Sequence, residues 1–352
     1  MADLPPQRIL VVCTRRIGDV LLTTPLIRSL HQAWPEARID ALIFRGTAGV
    51  LEGNPDLAEV ISVPERTKKM ARWQELRRLW NRYDLSLSCV PSDRARLYGW
   101  AAGRRHLGML AAGESRSKRW LLSDAVAFDD VNTHTVSMAL QLADLAGIRR
   151  HAEVVPPSAG GGLPPGVESP YVVLHAYPKF TYKMWTEVGW AGLARALQES
   201  GRQVVLTGSG EPDEVAYCAR LAMTGGALNL AGKLSLAQTA DLLRRADLFV
   251  GADTAVTHLA AACGIPTVAL FGPSNPVKWG PWPAGYASVT SPWLFVGSGR
   301  QGNVTLLQGI GECVPCRLEG CDRHVASSSR CLQEMPAARV IEAALSALLI
   351  KD

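Results

Sequence analysis

The run Thr14-Arg15-Arg16-Ile17-Gly18-Asp19-Val20-Leu21-Leu22-Thr23-Thr24-Pro25 places an aspartate where a short apolar strand gives way to a helical pattern. Gly18 permits a tight turn there, and a carboxylate at the carboxyl edge of a sheet can accept a proton from a ligand hydroxyl. The same residue suits a purely local task, because Asp is a favoured helix N-cap. The dinucleotide fingerprint G-x-G-x-x-G is absent from this turn.

Three later segments suit a phosphorylated ligand. His175 to Glu187 carries Lys179 and Lys183 in a loop after a strand, with Thr186 as the expected helix cap. Lys183 is placed to neutralise a phosphate, Lys179 is a less certain second, and either fits an ordinary surface lysine. Thr207-Gly208-Ser209-Gly210-Glu211 is a nucleotide-like turn in which Glu211 or Glu214 could hold ribose hydroxyls. The strongest local signal is Gly251-Ala252-Asp253-Thr254-Ala255-Val256-Thr257-His258, continued by an Ala-rich helix to Gly264 and Pro266. Its small residues let a ligand reach the helix N-terminus, where free N–H groups and the dipole favour phosphate. Thr254 and His258 fall one turn apart on one face. A helix cap and a half-buried histidine would leave the same pattern. Phe271-Gly272-Pro273-Ser274-Asn275-Pro276 forms another tight loop at a strand end.

Eight cysteines are too few for a disulfide scaffold in 352 residues. Cys13, Cys89, Cys218 and Cys263 sit in apolar segments and read as buried thiols. Cys313, Cys316, Cys321 and Cys331 are spaced C-x2-C-x4-C-x9-C and could close a tetrahedral structural zinc or iron site. Four free thiols in a loop are the alternative.

The elements that must position these residues form two α/β halves. Strands are expected at 8–13, 39–44, 60–63 and 85–90, with one helix over 19–31. A Pro/Gly/Ser-rich stretch, 156–170, then reads as a linker. Beyond it the alternation restarts, with strands at 171–175, 203–207, 248–251 and 267–271. Helices are expected at 187–200, 211–223, 236–245, 254–263 and 336–350. Alternating strands and helices imply parallel sheets covered on both faces. The expected fold is α/β: a Rossmann-like doubly wound domain over 1–155, a second over 171–335, and a last helix within 336–352. A cleft between the two domains is the expected active site.

Composition limits the function classes. Apolar residues make up 47% and charged residues 20%, which excludes general disorder. No apolar run is long enough to span a bilayer, and no secretory leader is visible, so a cytoplasmic protein is expected. Residues 1–150 hold 22 Lys and Arg against 16 Asp and Glu, whereas the remainder is nearly neutral. The excess lies in 66–82 and 94–119, interleaved with Trp73, Trp80, Trp100 and Trp120. Such a surface attracts polyanions, although no nucleic-acid-binding motif accompanies it and none is expected as partner.

Together the segments R-I-L-V-V, R-I-G-D-V-L-L-T-T-P, K-M-W-T-E and G-A-D-T-A-V-T-H-L-A-A-A-C-G-I-P resemble glycosyltransferase family 9, the lipopolysaccharide heptosyltransferases. They stand in the family's order, the similarity covers nearly the whole chain, and the pattern leans toward the third heptosyltransferase type. The resemblance implies the GT-B architecture, with the last helix packing back toward the first domain. It implies inverting, metal-independent transfer of heptose from ADP-L-glycero-D-manno-heptose to the phosphorylated inner core of lipopolysaccharide. The protein would then be peripheral on the cytoplasmic face of the inner membrane, in contact with its anionic surface. Asp19 after Gly18 becomes the general base, Lys183 the diphosphate clamp, and Asp253, Thr254, Ala255 and His258 the nucleotide-sugar segment. Thr207, Gly208 and Glu211 or Glu214 would complete it. Ala255 stands where relatives often have Gly, and K-M-W-T lacks the proline some relatives carry. No cofactor is implied for catalysis. A family 9 transferase with another donor or acceptor, or a sugar-nucleotide epimerase on the same architecture, would share these features.

Overall fold

Five consecutive apolar residues, Ile9 to Cys13, are all buried, as expected of a central parallel strand with both faces covered. They form β1 (Arg8–Cys13) in a computed structural model that describes residues 4–66 and 68–349. The chain divides into two units. The first runs through Pro157 and includes Ala287–Ser291; the second comprises Ser158–Tyr286 and the chain from Pro292 onward.

In the first unit, β2 (Arg38–Phe44), β3 (Glu59–Val63), β4 (Tyr83–Ser88), β5 (Gly103–Ala111) and β6 (Asp124–Phe128) join β1 in a sheet of order β3-β2-β1-β4-β5-β6. Every neighbouring pair is parallel. This is the doubly wound order, whose reversal between β1 and β4 marks the ligand-binding edge. Two strands were not expected: β5 opens on Gly103, Arg104 and Arg105, whose charges mask the buried run beginning at His106, and β6 is only partly buried. The helix expected over 19–31 is two helices, Ile17–Leu21 and Thr24–Ala33. Pro25 lacks an N–H and its ring crowds the preceding turn, so the helix has to restart. The hydroxyls of Thr23 and Thr24 bond the Val20 and Leu21 carbonyls at 2.7 Å across the break.

The second unit repeats the plan. β7 (Tyr171–His175), β8 (Gln203–Leu206), β9 (Leu228–Asn229), β10 (Leu248–Ala252), β11 (Thr267–Phe271), β12 (Gly299–Gln301) and β13 (Val304–Gln308) order as β9-β8-β7-β10-β11-β13-β12. All pairs are parallel except the β12–β13 hairpin, a second feature missed because its exposed first strand carries no apolar pattern. The last helix, Ala337–Leu349, for which a return toward the first domain was expected, is grouped with the second unit. Its Val340, Ala344, Ala347 and Leu348 join that unit's core with Val250, Leu270 and Trp190.

The chain passes from the first unit to the second at Pro157–Ser158, within the Gly/Pro-rich stretch, which is not a loose tether. Asp241 accepts hydrogen bonds from Ser158 Oγ at 2.8 Å and from the amides of Ala159 and Gly161 at 2.9 and 3.3 Å. Each such bond contributes about 1 kcal/mol. Asp241→Ala is therefore expected to speed proteolytic cleavage within residues 158–166 by at least about tenfold, read by mass spectrometry. An unchanged cleavage rate would show that other contacts hold the segment.

Candidate active site

The reactive side chains of the second unit gather at the carboxyl ends of β7, β8, β10 and β11, around the point where strand order reverses. Asp253 directly follows β10. Its Oδ2 accepts a hydrogen bond from Lys183 Nζ at 2.5 Å, and the two side chains are 6% and 18% exposed. Burial pushes the Asp253 carboxyl up. The Lys183 charge and hydrogen bond, a bond from Ser274 and the nearby His258 outweigh it and hold the carboxyl below its ordinary value. Burial also pushes the His258 imidazole down to about 4, against the attraction of Asp253, so the ring is neutral near pH 7. Its Nδ1 has no hydrogen-bond partner among the described residues.

Local packing explains how Lys183 reaches this point. Two residues on, Trp185 is buried, donates Nε1–H to the Met335 carbonyl at 3.0 Å and stands edge-on to Trp190. A Cβ on Gly189 would lie 2.5 Å from the Trp185 ring, so only glycine fits beneath it. Thr186 caps the helix Glu187–Glu199 through the Gly189 amide at 3.1 Å, as its sequence position led us to expect. The segment around 325–333 braces the other side. Ser329 Oγ donates to the Tyr182 carbonyl at 2.6 Å, Gln333 Nε2 to that of Met184 at 2.9 Å, and Thr181 Oγ1 to those of Val325 and Ser327 at 3.0 Å.

Thr254 occupies the N-cap position of the helix Ala255–Ala262, yet its hydroxyl makes no capping bond and lies 3.4 Å from Thr257 Oγ1. Ala255 then begins the helix. A Cβ on Gly251 would meet the Phe249 ring at 2.5 Å and Thr257 Oγ1 at 2.9 Å, so the strand end and helix are in close approach.

One strand over, Thr207 directly follows β8, with its hydroxyl 3.2 Å from His175 Nδ1 and 3.4 Å from the Leu174 carbonyl. Burial pushes the His175 imidazole down while the Glu214 charge opposes it. Glu214 is buried, accepts a hydrogen bond from Ser209 and lies so close to Gly208 that a Cβ there would be 2.8 Å from its Oε1. Glu211 sits exposed at the head of the helix Pro212–Gly225 and makes no side-chain cap; Lys179 is also exposed. The geometry thus separates Glu211 from Glu214 where the sequence leaves both open. His175 and Ser274 were not singled out; their signal was position, each at or just after a strand's carboxyl end.

In the first unit, Asp19 lies at the equivalent edge. It is the third residue of the helix Ile17–Leu21, whose N-cap position belongs to Arg16, so it is not the capping residue. Its side chain is 8% exposed, with Arg15 Nε 3.8 Å from Oδ1. Gly18 precedes it within the same helix. Burial, then the Asp19 charge, pushes the neighbouring Cys13 thiol well above its ordinary value, so that thiol is no nucleophile.

Of the two readings of the cysteine cluster, a four-sulfur metal site and four free thiols, the structure gives free thiols. Cys313, Cys316, Cys321 and Cys331 are all free, and among the described residues no group of three or more His, Cys, Asp or Glu is arranged to hold a metal ion. Cys321 Sγ instead accepts a hydrogen bond from the Arg330 amide at 3.4 Å. Burial and the three companion cysteines push the Cys331 thiol up to about 11, which keeps it protonated. In this structure the cysteine-rich segment leads into the brace of the Lys183 loop.

Two Rossmann-like doubly wound units with charged and small residues at the sheet switch points make an α/β fold of the GT-B type. The family model for glycosyltransferase family 9 (heptosyltransferase) matches residues 93–292, and the chain belongs to that family. It is 32% identical over 305 residues to lipopolysaccharide heptosyltransferase 1 of Pseudomonas aeruginosa, covering 77% of this chain and 80% of that protein. It is 28% identical over 295 residues to lipopolysaccharide heptosyltransferase 3 of Escherichia coli, covering 75% and 82%. A solved glycosyltransferase family 9 structure from Veillonella parvula covers 98% of both chains at 20% identity with a TM-score of 0.76, a likeness of fold.

The Lys183–Asp253 pair has a pH signature. Because the folded Asp253 carboxyl lies below its ordinary value, the pair stabilises the fold above the ordinary carboxylate range. That contribution is lost as pH falls through the depressed value. In Lys183→Met burial dominates and raises the carboxyl, leaving a charge stranded at neutral pH and relieved on acidification. The expected loss is about 3 kcal/mol at neutral pH, shrinking toward about pH 4, as read by thermal unfolding. An equal loss at both pH values would contradict the pairing.

Proposed function

We propose that the protein transfers heptose from ADP-L-glycero-D-manno-heptose to the lipopolysaccharide inner core, with inversion and without a divalent metal. The observation that carries this reading is the shielded Lys183–Asp253 pair beside a helix N-terminus that no side chain caps. A departing nucleoside diphosphate gathers negative charge in the transition state. Lys183 and the amides at Thr254, Ala255 and Val256 supply fixed positive potential for it without reorganisation. Asp253 keeps the ammonium oriented while the site is empty. Neutral His258 offers Nδ1 to a ligand oxygen, and the small side chain of Ala255 permits close approach. Glu214, shielded beside Gly208, Thr207 and His175, is the better placed acid for ribose hydroxyls; Glu211 lies outside this group.

In this reading Asp19 is the general base. It accepts the proton of the acceptor hydroxyl as that oxygen forms a bond to the anomeric carbon and the bond to ADP breaks on the opposite face. The names of the matched relatives support lipopolysaccharide as the acceptor class. A lipid-anchored acceptor would bring the enzyme to a membrane surface, to which it would bind peripherally. No helix among the described residues is long and apolar enough to cross one.

The test is incubation with ADP-heptose and truncated lipopolysaccharide acceptors, followed by mass spectrometry of the product. Addition of one heptose with release of ADP is expected. Asp19→Asn should lower kcat by about 100- to 10,000-fold while ADP affinity changes less than about twofold. Lys183→Met should cost about 100- to 1,000-fold in rate. Wild-type turnover in Asp19→Asn would remove the base assignment, and donor conversion without an acceptor would indicate an epimerase.

A further inference from the structure

Four tryptophans stand out on the surface of the first unit, where large aromatics are ordinarily mostly buried. The helix Lys69–Leu79 buries only Leu76 and Leu79. Its outward side carries Met70 and Trp73, 76% and 66% exposed, followed at helical spacing by Arg77 and the terminal Trp80, 55% exposed. Trp80 meets Trp100 edge-on with ring centroids 5.4 Å apart. Trp80, Trp100 and the 83% exposed Trp120 line one open hollow of about 320 Å³ together with Arg104 and His106. Aromatic surface therefore continues from the helix across to the start of β5.

Cations frame it. Lys68, Lys69, Arg77, Arg78 and Arg82 are exposed, and none makes an ion pair among the described residues. The one acid of this helix, Glu75, is turned inward to accept a hydrogen bond from the Tyr98 hydroxyl. The face thus joins unpaired positive charge to large amphipathic rings with an apolar body and a polar N–H. That combination matches the headgroup layer of a bilayer, where indole rings settle and basic side chains meet lipid phosphates.

We infer that the face formed by Met70, Trp73, Trp80, Trp100 and Trp120, with Lys68, Lys69, Arg77, Arg78 and Arg82, docks the protein on an anionic phospholipid membrane. The inference rests on the proposed lipid-anchored acceptor for its purpose, and on the surface alone for its binding. Bound in this way, the first unit meets its acceptor on a plane rather than by three-dimensional search.

The experiment is co-sedimentation of the full chain with vesicles containing phosphatidylglycerol, against vesicles of phosphatidylcholine alone. Part of the vesicle set carries brominated acyl chains, which quench tryptophans that enter the acyl boundary. Binding to the anionic vesicles with fluorescence quenching, weakened by salt, is expected. Arg77→Glu with Arg78→Glu, and separately Trp73→Ser with Trp120→Ser, should each weaken binding about tenfold or more. Both double variants should keep wild-type heptose transfer to a soluble, delipidated acceptor, which also shows that they fold. No preference for anionic vesicles, or undiminished binding by both variants, would overturn the inference. Binding without quenching that an RNA oligonucleotide competes away would overturn it in favour of a nucleic-acid surface. Vesicle binding without any heptose transfer rejects the proposed reaction alone. Transfer to the soluble acceptor without vesicle binding rejects the docking face alone.

Discussion

The second unit is organised around one shielded ion pair. Lys183 arrives on a loop after β7 and Asp253 on the loop after β10, and the 2.5 Å bond between them ties the two loop ends together at the sheet's switch point. Neither charge would be tolerable there alone, since removing one partner of a buried pair leaves the other without compensation. Much of the surrounding structure serves this contact. Trp185 wedges over Gly189, Ser274 donates a further bond to Asp253, and His258 stays neutral beside it. In the proposed function the ammonium of this same pair would also meet the charge of a departing diphosphate, so that structural and catalytic demands would fall on the same two residues.

The segment around 325–333 shows how distant chain is recruited to hold a site. Its hydrogen bonds run to backbone carbonyls of the Lys183 loop through Ser329 and Gln333, and it accepts bonds from Thr181. Backbone groups of an irregular loop need partners when shielded from water, and here side chains supply them. The cysteine spacing suggested a metal as the organiser of this region. In this structure Cys321 Sγ accepts the Arg330 amide and Cys331 is partly buried beside the other three cysteines.

Much of the fold was legible because doubly wound sheets advertise themselves through apolar runs. β7 and β11 fall where the apolar pattern places them, and Thr186 caps its helix as its position suggests. Two of the misses, β5 and β12, share a cause. β5 begins with two arginines and β12 is wholly exposed, so neither carries the apolar signature of a buried strand. The break at Leu22–Thr23 was signalled by Pro25, but continuous apolar spacing on both sides concealed it. Among site residues, Lys183, Asp253 and His258 were visible in short motifs, whereas Ser274 enters only through a fold-level meeting of loops. Glu214 and Glu211 are three positions apart, and only the helix orientation decides which one is shielded.

Recognition of a diphosphate by Lys183 is the claim on which the catalytic account stands. Its most direct measurement is the affinity of the wild-type protein and of Lys183→Met for ADP and for adenosine monophosphate, by calorimetry. The account predicts that the wild type binds ADP more tightly and that the variant loses most of this preference while still binding the monophosphate. An ADP preference that survives intact in Lys183→Met would contradict it.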